Sequence, residues 1–301
     1  METQTTNLRQ AENKVRITGI LAEKDLHEGK NQSNSKTTIE GYVSIKVDDI
    51  NQIRLNVRAD ETKKDGAPNP AYKNLTDFNS NSQSIAEVGE EDATRVYIGS
   101  AQLNPYHSTQ SGNDVISYRT SFISIAQKEK NFEPYANGEV EVYIQSIVPE
   151  MDKDGDETGR ALVRGLMPTF SGIEPVVFIA PSGDGFADQV ISEFETGQTV
   201  RIFFDVKNSR VEIVKEIPVK LGKPRKETTV SYTNELIITG MSEPYDDSED
   251  SIHAPYDANA IKTALQERED RIKSEANKPK GNGNTQTKPS GASKGRTPQG
   301  W

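Results

Sequence analysis

The chain has 301 residues, enough for two ordinary domains, and only 33% of them are hydrophobic, so part of it is expected to be loop or tail rather than core. The absence of cysteine excludes disulfides and thiolate metal sites, and the three histidines (His27, His107, His253) are too scattered to suggest a histidine-rich metal or catalytic cluster. A formal net charge of −10 argues against a polyanionic partner, yet residues 278–301 carry four lysines, one arginine and no acid, so charge is spread unevenly.

No apolar run is long enough to span a membrane and residues 1–20 lack a signal-peptide segment, which points to the cytoplasm of a cell or of an infected host. Residues 1–13 are polar and read as an N-terminal arm. Val15 and Ile17 then alternate with Arg16 and Thr18 in a first strand over 14–21, and 24–38, rich in Gly, Asn, Ser and Lys, is expected to be a long mobile loop. The strongest signal is 41–59. There Val43, Ile45 and Val47 alternate with Tyr42, Ser44 and Lys46, and after a polar turn Ile53, Leu55 and Val57 alternate with Arg54, Asn56 and Arg58. That is a hairpin with one apolar face and one face carrying an aromatic, cations and an amide.

A polar connection over 60–94 has room for a short helix around Leu75, Phe78, Ile85 and Val88. Strands follow at 95–101 and 115–125, separated by a loop over 103–114 that carries Tyr106 and His107. Five strands with a helix between the third and fourth is the order of an OB-fold barrel; a small β-sandwich uses similar strands, but the position of the long connection favours the barrel.

The second half repeats the order. Strands at 139–148, 160–167 and 174–180 precede a helix over 185–196, whose Phe186, Val190, Ile191 and Phe194 share a face and which Gly197 stops. Strands at 198–206 and 211–219 are expected to flank a turn at Asn208 and Ser209, and 230–240 closes the set. Glu133-Pro134-Tyr135 recurs as Glu243-Pro244-Tyr245, which supports two related barrels. Residues 257–277 read as a helix with a thin apolar stripe (Ile261, Leu265, Ile272), either solvated or ordering on a partner, and 278–301 read as disordered, ending in the lone Trp301. The expected architecture is mainly β: an arm (1–13), two tandem OB-fold-like five-stranded barrels (14–137 and 138–250), a linker and C-terminal helix (251–277) and a disordered basic tail (278–301).

The candidate binding residues follow from that frame. Lys215, Lys220, Lys223, Arg225 and Lys226 fall within twelve residues, between strands four and five of the second barrel, where OB barrels overhang their groove. A loop kept soluble by charge is the plainer reading. On the first hairpin Tyr42, Lys46, Arg54 and Arg58 face outward. Exposed aromatics stack bases without sequence preference, and of Tyr42, Tyr97, Tyr106, Tyr118, Phe122, Tyr143, Phe178 and Tyr232 the better candidates by parity or loop position are Tyr42, Tyr106 and Tyr143. The acidic stretch 152–157 lacks the sixth-position Gly and twelfth-position Glu of a calcium loop, having Glu157 and Val163 there, and reads as an acidic hairpin turn. No P-loop, GxSxG or HExxH pattern occurs, so neither an enzyme nor a cofactor or metal site is expected.

In element order and in the placement of its tail, the chain resembles the single-stranded DNA-binding proteins of bacteriophages that are built from OB barrels. The resemblance implies a non-enzymatic protein that coats and protects single-stranded DNA without sequence preference in replication or recombination. It also implies that replication or recombination proteins dock on the C-terminal segment; for this tail the alternatives are nonspecific phosphate contacts by its basic residues or Trp301 as the anchor. One departure is plain: bacterial-type proteins of this class end in an acidic tail, whereas this tail is basic and the acidity lies at 243–250. A structural or protein-interaction β module, virion- or tail-associated, is the alternative, and a polysaccharide- or peptide-binding β protein a third.

Overall fold

Alternation of period two dictates most of the architecture. The computed structural model describes residues 8–31, 35–126, 132–217, 225–248 and 254–276, and for 210–217 and 225–232 the backbone alone. The first half holds β1 (Asn13–Lys30), β2 (Thr37–Lys46), β3 (Gln52–Asp60), α1 (Pro70–Asn81), α2 (Ile85–Val88), β4 (Arg95–His107), β5 (Asp114–Thr120) and the short β6 (Ser124–Ile125). In β3 the exposed Gln52, Arg54, Asn56 and Arg58 alternate with buried Ile53, Leu55, Val57 and Ala59. β1 pairs antiparallel with β2 and with β4, β2 with β3, and β4 with β5, while β3 and β5 run parallel. The pairing therefore closes in the order β1-β2-β3-β5-β4-β1, the OB order. α1 starts at Pro70 with Asn69 as N-cap and buries Ala71, Leu75 and Phe78 against the barrel.

The second half repeats this with β7 (Tyr135–Met151), β8 (Glu157–Thr169), β9 (Gly172–Ala180), α3 (Phe186–Glu193), β10 (Thr199–Ile217) and β11 (Arg225–Met241). β7 pairs with β8 and β10, β8 with β9, and β10 with β11, all antiparallel. The ring closes through one parallel bridge, Ile179 to Ile237, so this barrel is less complete than the first. The two barrels are therefore read directly from strand pairing.

They are welded together. β1 pairs with β7 over Asn13 to Thr18, and the buried side chains of both barrels form one connected core that includes Val15, Ile17, Val140 and Phe204. Glu141 of β7 is fully buried at this seam. It accepts hydrogen bonds from the Glu12 amide (2.9 Å) and the Tyr245 hydroxyl (3.0 Å) and is ion-paired with Arg9. Burial works against the charge, but the Glu12 amide, Arg9 and Tyr245 outweigh it and hold the carboxyl below its ordinary range. Asn51, in the β2–β3 turn, donates through Nδ2 to the Val206 carbonyl (2.8 Å) and accepts from the Asn208 amide (2.9 Å), fastening that turn to β10.

α4 (Ala258–Ala276) lies on the second barrel. Ile261 and Ala264 are buried in a small cluster with Leu166, Ile173 and Tyr256. Arg268 and Arg271 both pair with Glu174 (2.8 and 2.7 Å), and Arg268 also reaches Asp114 of the first barrel. The thin stripe is therefore a docked face whose polar flanks are satisfied by ion pairs.

Several expectations are corrected. Of the expected loop over 24–38, residues 24–30 and 37–38 are strand: 24–30 pair with 37–43 as an extension of the β1–β2 hairpin. This extension carries mostly exposed or half-exposed residues on β1, so it lacks the one-sided apolar pattern that marks a strand. Likewise β4 runs through Tyr106 and His107, which pair with Val115 and Asp114, so neither sits in a loop. The turn expected at Asn208 and Ser209 is absent: β10 continues, with those residues opposite Asn234 and Thr233. The repeated Glu-Pro-Tyr occupies different places, since Tyr135 opens β7 whereas Tyr245 follows β11 and bonds to the Thr199 carbonyl. The tail expected to be disordered lies outside the described residues.

Candidate nucleic-acid interface

The outward faces of β2, β3 and β5 form one surface. Register places Tyr42 opposite Asn56, Glu40 opposite Arg58, and Asn56 beside Arg119 across the parallel β3–β5 pair. The Arg54 guanidinium carbon lies 3.6 Å from the centroid of the Tyr42 ring, a stacked cation–π contact. β2 approaches β1 closely here: Gly41 has φ +148°, and a Cβ on it would sit 1.8 Å from the Asp25 carbonyl oxygen.

Two open cavities meet on this surface. The smaller, about 360 Å³, is lined by His27, Glu40, Asn56, Arg58 and Arg119 among others. The larger, about 790 Å³, continues past Arg58 and Arg119 to Lys63, Lys64, Ser121 and Phe122, near the start of α1. Arg58 contacts Glu40 at 3.4 Å and remains half exposed. Arg119 is exposed and has no ion pair among the described residues. Lys36 closes the far end, its Nζ donating to the carbonyls of Thr62 (3.2 Å) and Lys63 (2.7 Å), which fixes the loop that presents the neighbouring lysines. Among the described residues that line the two cavities, Lys36, Arg58, Lys63, Lys64 and Arg119 outnumber the carboxylates Glu40 and Asp60, so cations prevail locally in a chain of net charge −10.

The residues expected at the site divide accordingly. Tyr42, Arg54 and Arg58 share the outward face of β2 and β3, and of the three Arg58 lines the cavities while the Tyr42–Arg54 stack lies beside them. Lys46 does not serve as a free cation: it holds Glu90 at 2.8 Å and Asp49 at 3.3 Å, and its pKa is raised chiefly by the Glu90 bond. Tyr106 is 43% exposed but lies opposite Val115, four residues along β5 from Arg119, about 13 Å away at the strand rise. Tyr143 is half-buried and packed against the cluster under α4, so it is on neither groove. Arg225 and Lys226 open β11 opposite Ile217 and Glu216, whereas Lys220, Lys223 and Trp301 lie outside the described residues. Of the other aromatics, Tyr118 and Phe178 are fully buried, while Tyr97 and Phe122 are exposed.

Arg119, Lys63 and Lys64 escaped the sequence reading. For Arg119 the signal was available: in the strand around Tyr118, parity that buries Tyr118 turns Arg119 outward. The two lysines sit in an irregular connection whose course no periodicity gives. The acidic stretch 152–156 is a tight turn, with Asp152 accepting from the amides of Asp154 (2.8 Å) and Asp156 (3.0 Å). Among the described residues no cluster of three acidic or histidine side chains could hold a metal ion, and no helix is long and apolar enough to cross a membrane.

A family model matches residues 11–278, which takes in both barrels and α4. The chain belongs to the YorF family. No curated protein matches it. Among solved structures, this YorF-family chain is similar to the single-stranded DNA binding protein from Thermus aquaticus (8% identity, 81% of this chain and 98% of that one, TM-score 0.48). A deletion mutant of that protein gives 10% identity, 80% and 98% coverage and a TM-score of 0.47. A replication protein A heterotrimer bound to single-stranded DNA gives 8% identity, 89% and 70% coverage and a TM-score of 0.24. All three TM-scores lie below 0.5.

Proposed function

We propose that this protein binds single-stranded DNA without sequence preference and coats it, without catalysis, in phage DNA replication or recombination. The observation that carries the reading is the groove across β2, β3 and β5, where the Arg54–Tyr42 stack leads past Arg58 and Arg119 to Lys63 and Lys64. In an OB barrel the strand two–three face is the one suited to an extended oligonucleotide. Cations spaced along it track phosphates, while the guanidinium–phenol stack and the exposed Phe122 offer platforms to bases. Every base has a π-face, so such platforms do not read sequence. Docking of replication or recombination proteins on the segment after α4, with Trp301 as anchor, belongs to the same proposal.

Fluorescence anisotropy of a labelled oligo-dT, against duplex and RNA of equal length at two salt concentrations, tests it. Salt-sensitive binding to single-stranded oligo-dT and not to the duplex is the expected result. Absence of binding at low salt overturns the reading in favour of a structural or protein-interaction module.

A further inference from the structure

The two barrels share a strand order but present opposite chemistry on the face between strands two and three. On the first barrel that face is polar and open: Tyr42, Arg54, Asn56 and Arg58. On the second, β8 and β9 turn Leu166 and Ile173 outward at one end, where both are buried under α4 at 1% and 0% exposure, while Arg164 and Val177 farther along the same face stay exposed. Two independent features bind the helix there. Ile261 and Ala264 fill the apolar contact, and Glu174, itself only 5% exposed, takes both Arg268 and Arg271. A face of leucine and isoleucine beside a buried carboxylate suits an amphipathic helix with basic flanks and repels a phosphate chain. Arg268 goes further, ion-paired with Asp114 at the base of the β4–β5 connection of the first barrel, so the helix ties the two barrels together from outside their shared core.

From this we infer that α4 covers the Leu166–Ile173 end of the second barrel's strand two–three face as an internal docking contact, and that the single strand engages the first barrel alone. The inference rests on the strand-binding reading and assigns its site. The second barrel and α4 then act as a brace, with one groove per chain.

Hydrogen exchange of the full chain, with and without saturating oligo-dT, tests it together with two charge reversals. The expected result is added protection confined to β2, β3, β5 and the adjoining segments around Lys63, Lys64 and Phe122, with α4, β8 and β9 unchanged. Arg119→Glu should weaken binding at least about tenfold, whereas Arg164→Glu, exposed on β8 beyond the helix, should change it less than about twofold. Deprotection of α4, new protection of β8 or β9, or a large effect of Arg164→Glu would overturn the single-groove assignment while leaving strand binding intact. Absence of any oligo-dT binding by the wild-type chain, read by anisotropy in the same samples, would overturn both, and so distinguishes failure of the function from failure of the site.

Discussion

Arg54 lies flat over Tyr42, its guanidinium carbon 3.6 Å from the ring centroid, although the two residues sit on neighbouring strands and are not directly opposed. The stack covers one face of the phenol and offers the outer face of the guanidinium, a planar cation on which a base can stack while its phosphate stays near the charge. Tyr42→Ala removes the support and Arg54→Ala the platform. Each should weaken oligo-dT binding by about 1–3 kcal/mol, the range for loss of one stacked base, and Tyr42→Phe should retain most of it. Titrations of the three variants at fixed salt check this; equal affinities throughout would remove the stack from the site.

Arg119 should act through phosphate and not through stacking. It is exposed and has no ion pair among the described residues, so its charge is not already spent on a neighbour as that of Lys46 is on Glu90. Arg119→Ala should make the slope of log affinity against log salt shallower by about 0.7, the increment for one phosphate contact on a single strand. Lys46→Ala, by contrast, should leave the slope unchanged within error. Affinity measured at four or more salt concentrations separates the two outcomes.

How far the sequence revealed this arrangement depends on how one-sided each segment is. The hairpin holding Tyr42 and Arg54 was legible because Ile53, Leu55 and Val57 are buried at every second position, and the α3 helix because Phe186, Val190 and Phe194 pack toward the core, although Ile191, expected on the same face, is 39% exposed. The β1–β2 extension was hidden, since in residues 24–30 Leu26 is the one apolar side chain that packs against the core and the alternation that marks a strand is missing. Asn208 and Ser209 look like a turn in isolation; pairing with β11 and the hydrogen bond that the Asn208 N–H donates to Asn51 Oδ1, 157 residues away, keep the strand going. Of the groove, the strand residues Arg54 and Arg58 were readable by parity. Lys63 and Lys64 were not, because a cavity beside α1 is a tertiary fact.

Asn51 itself should be costly to replace. Both polar ends of its amide are used, toward the Val206 carbonyl and the Asn208 amide, and the residue is 6% exposed. Asn51→Leu leaves that donor and acceptor buried without their partner, at about 1–3 kcal/mol for each group left unsatisfied. Chemical denaturation should show a lower midpoint with an unchanged slope. A variant as stable as wild type would mean that the turn and β10 find other partners.

Glu141 predicts the acid limit of the fold. Its carboxyl is fully buried at the barrel seam and held below the ordinary value of 4.5, because the Glu12 amide, Arg9 and the Tyr245 hydroxyl outweigh the penalty of burial. A depressed folded pKa means that the unfolded chain takes up the proton first as pH falls. The contribution of Glu141 to stability is therefore complete above 4.5 and is lost as pH descends through the lower folded value. Asp114 has a carboxyl lowered in the same direction, where bonds from His107 and Arg268 outweigh burial, so the wild-type curve alone mixes the two. Glu141→Gln isolates the first. At neutral pH it should cost about 1–3 kcal/mol, since the Glu12 amide and the Tyr245 hydroxyl lose a charged acceptor while Arg9, 39% exposed, turns to water. Between about pH 5 and about pH 3 its melting temperature should fall less steeply than that of wild type, because the proton that wild type must accept is already replaced. Parallel curves for the two proteins over that interval would show that the seam does not set the acid limit, and attention would move to the Asp114–Arg268 contact beneath α4.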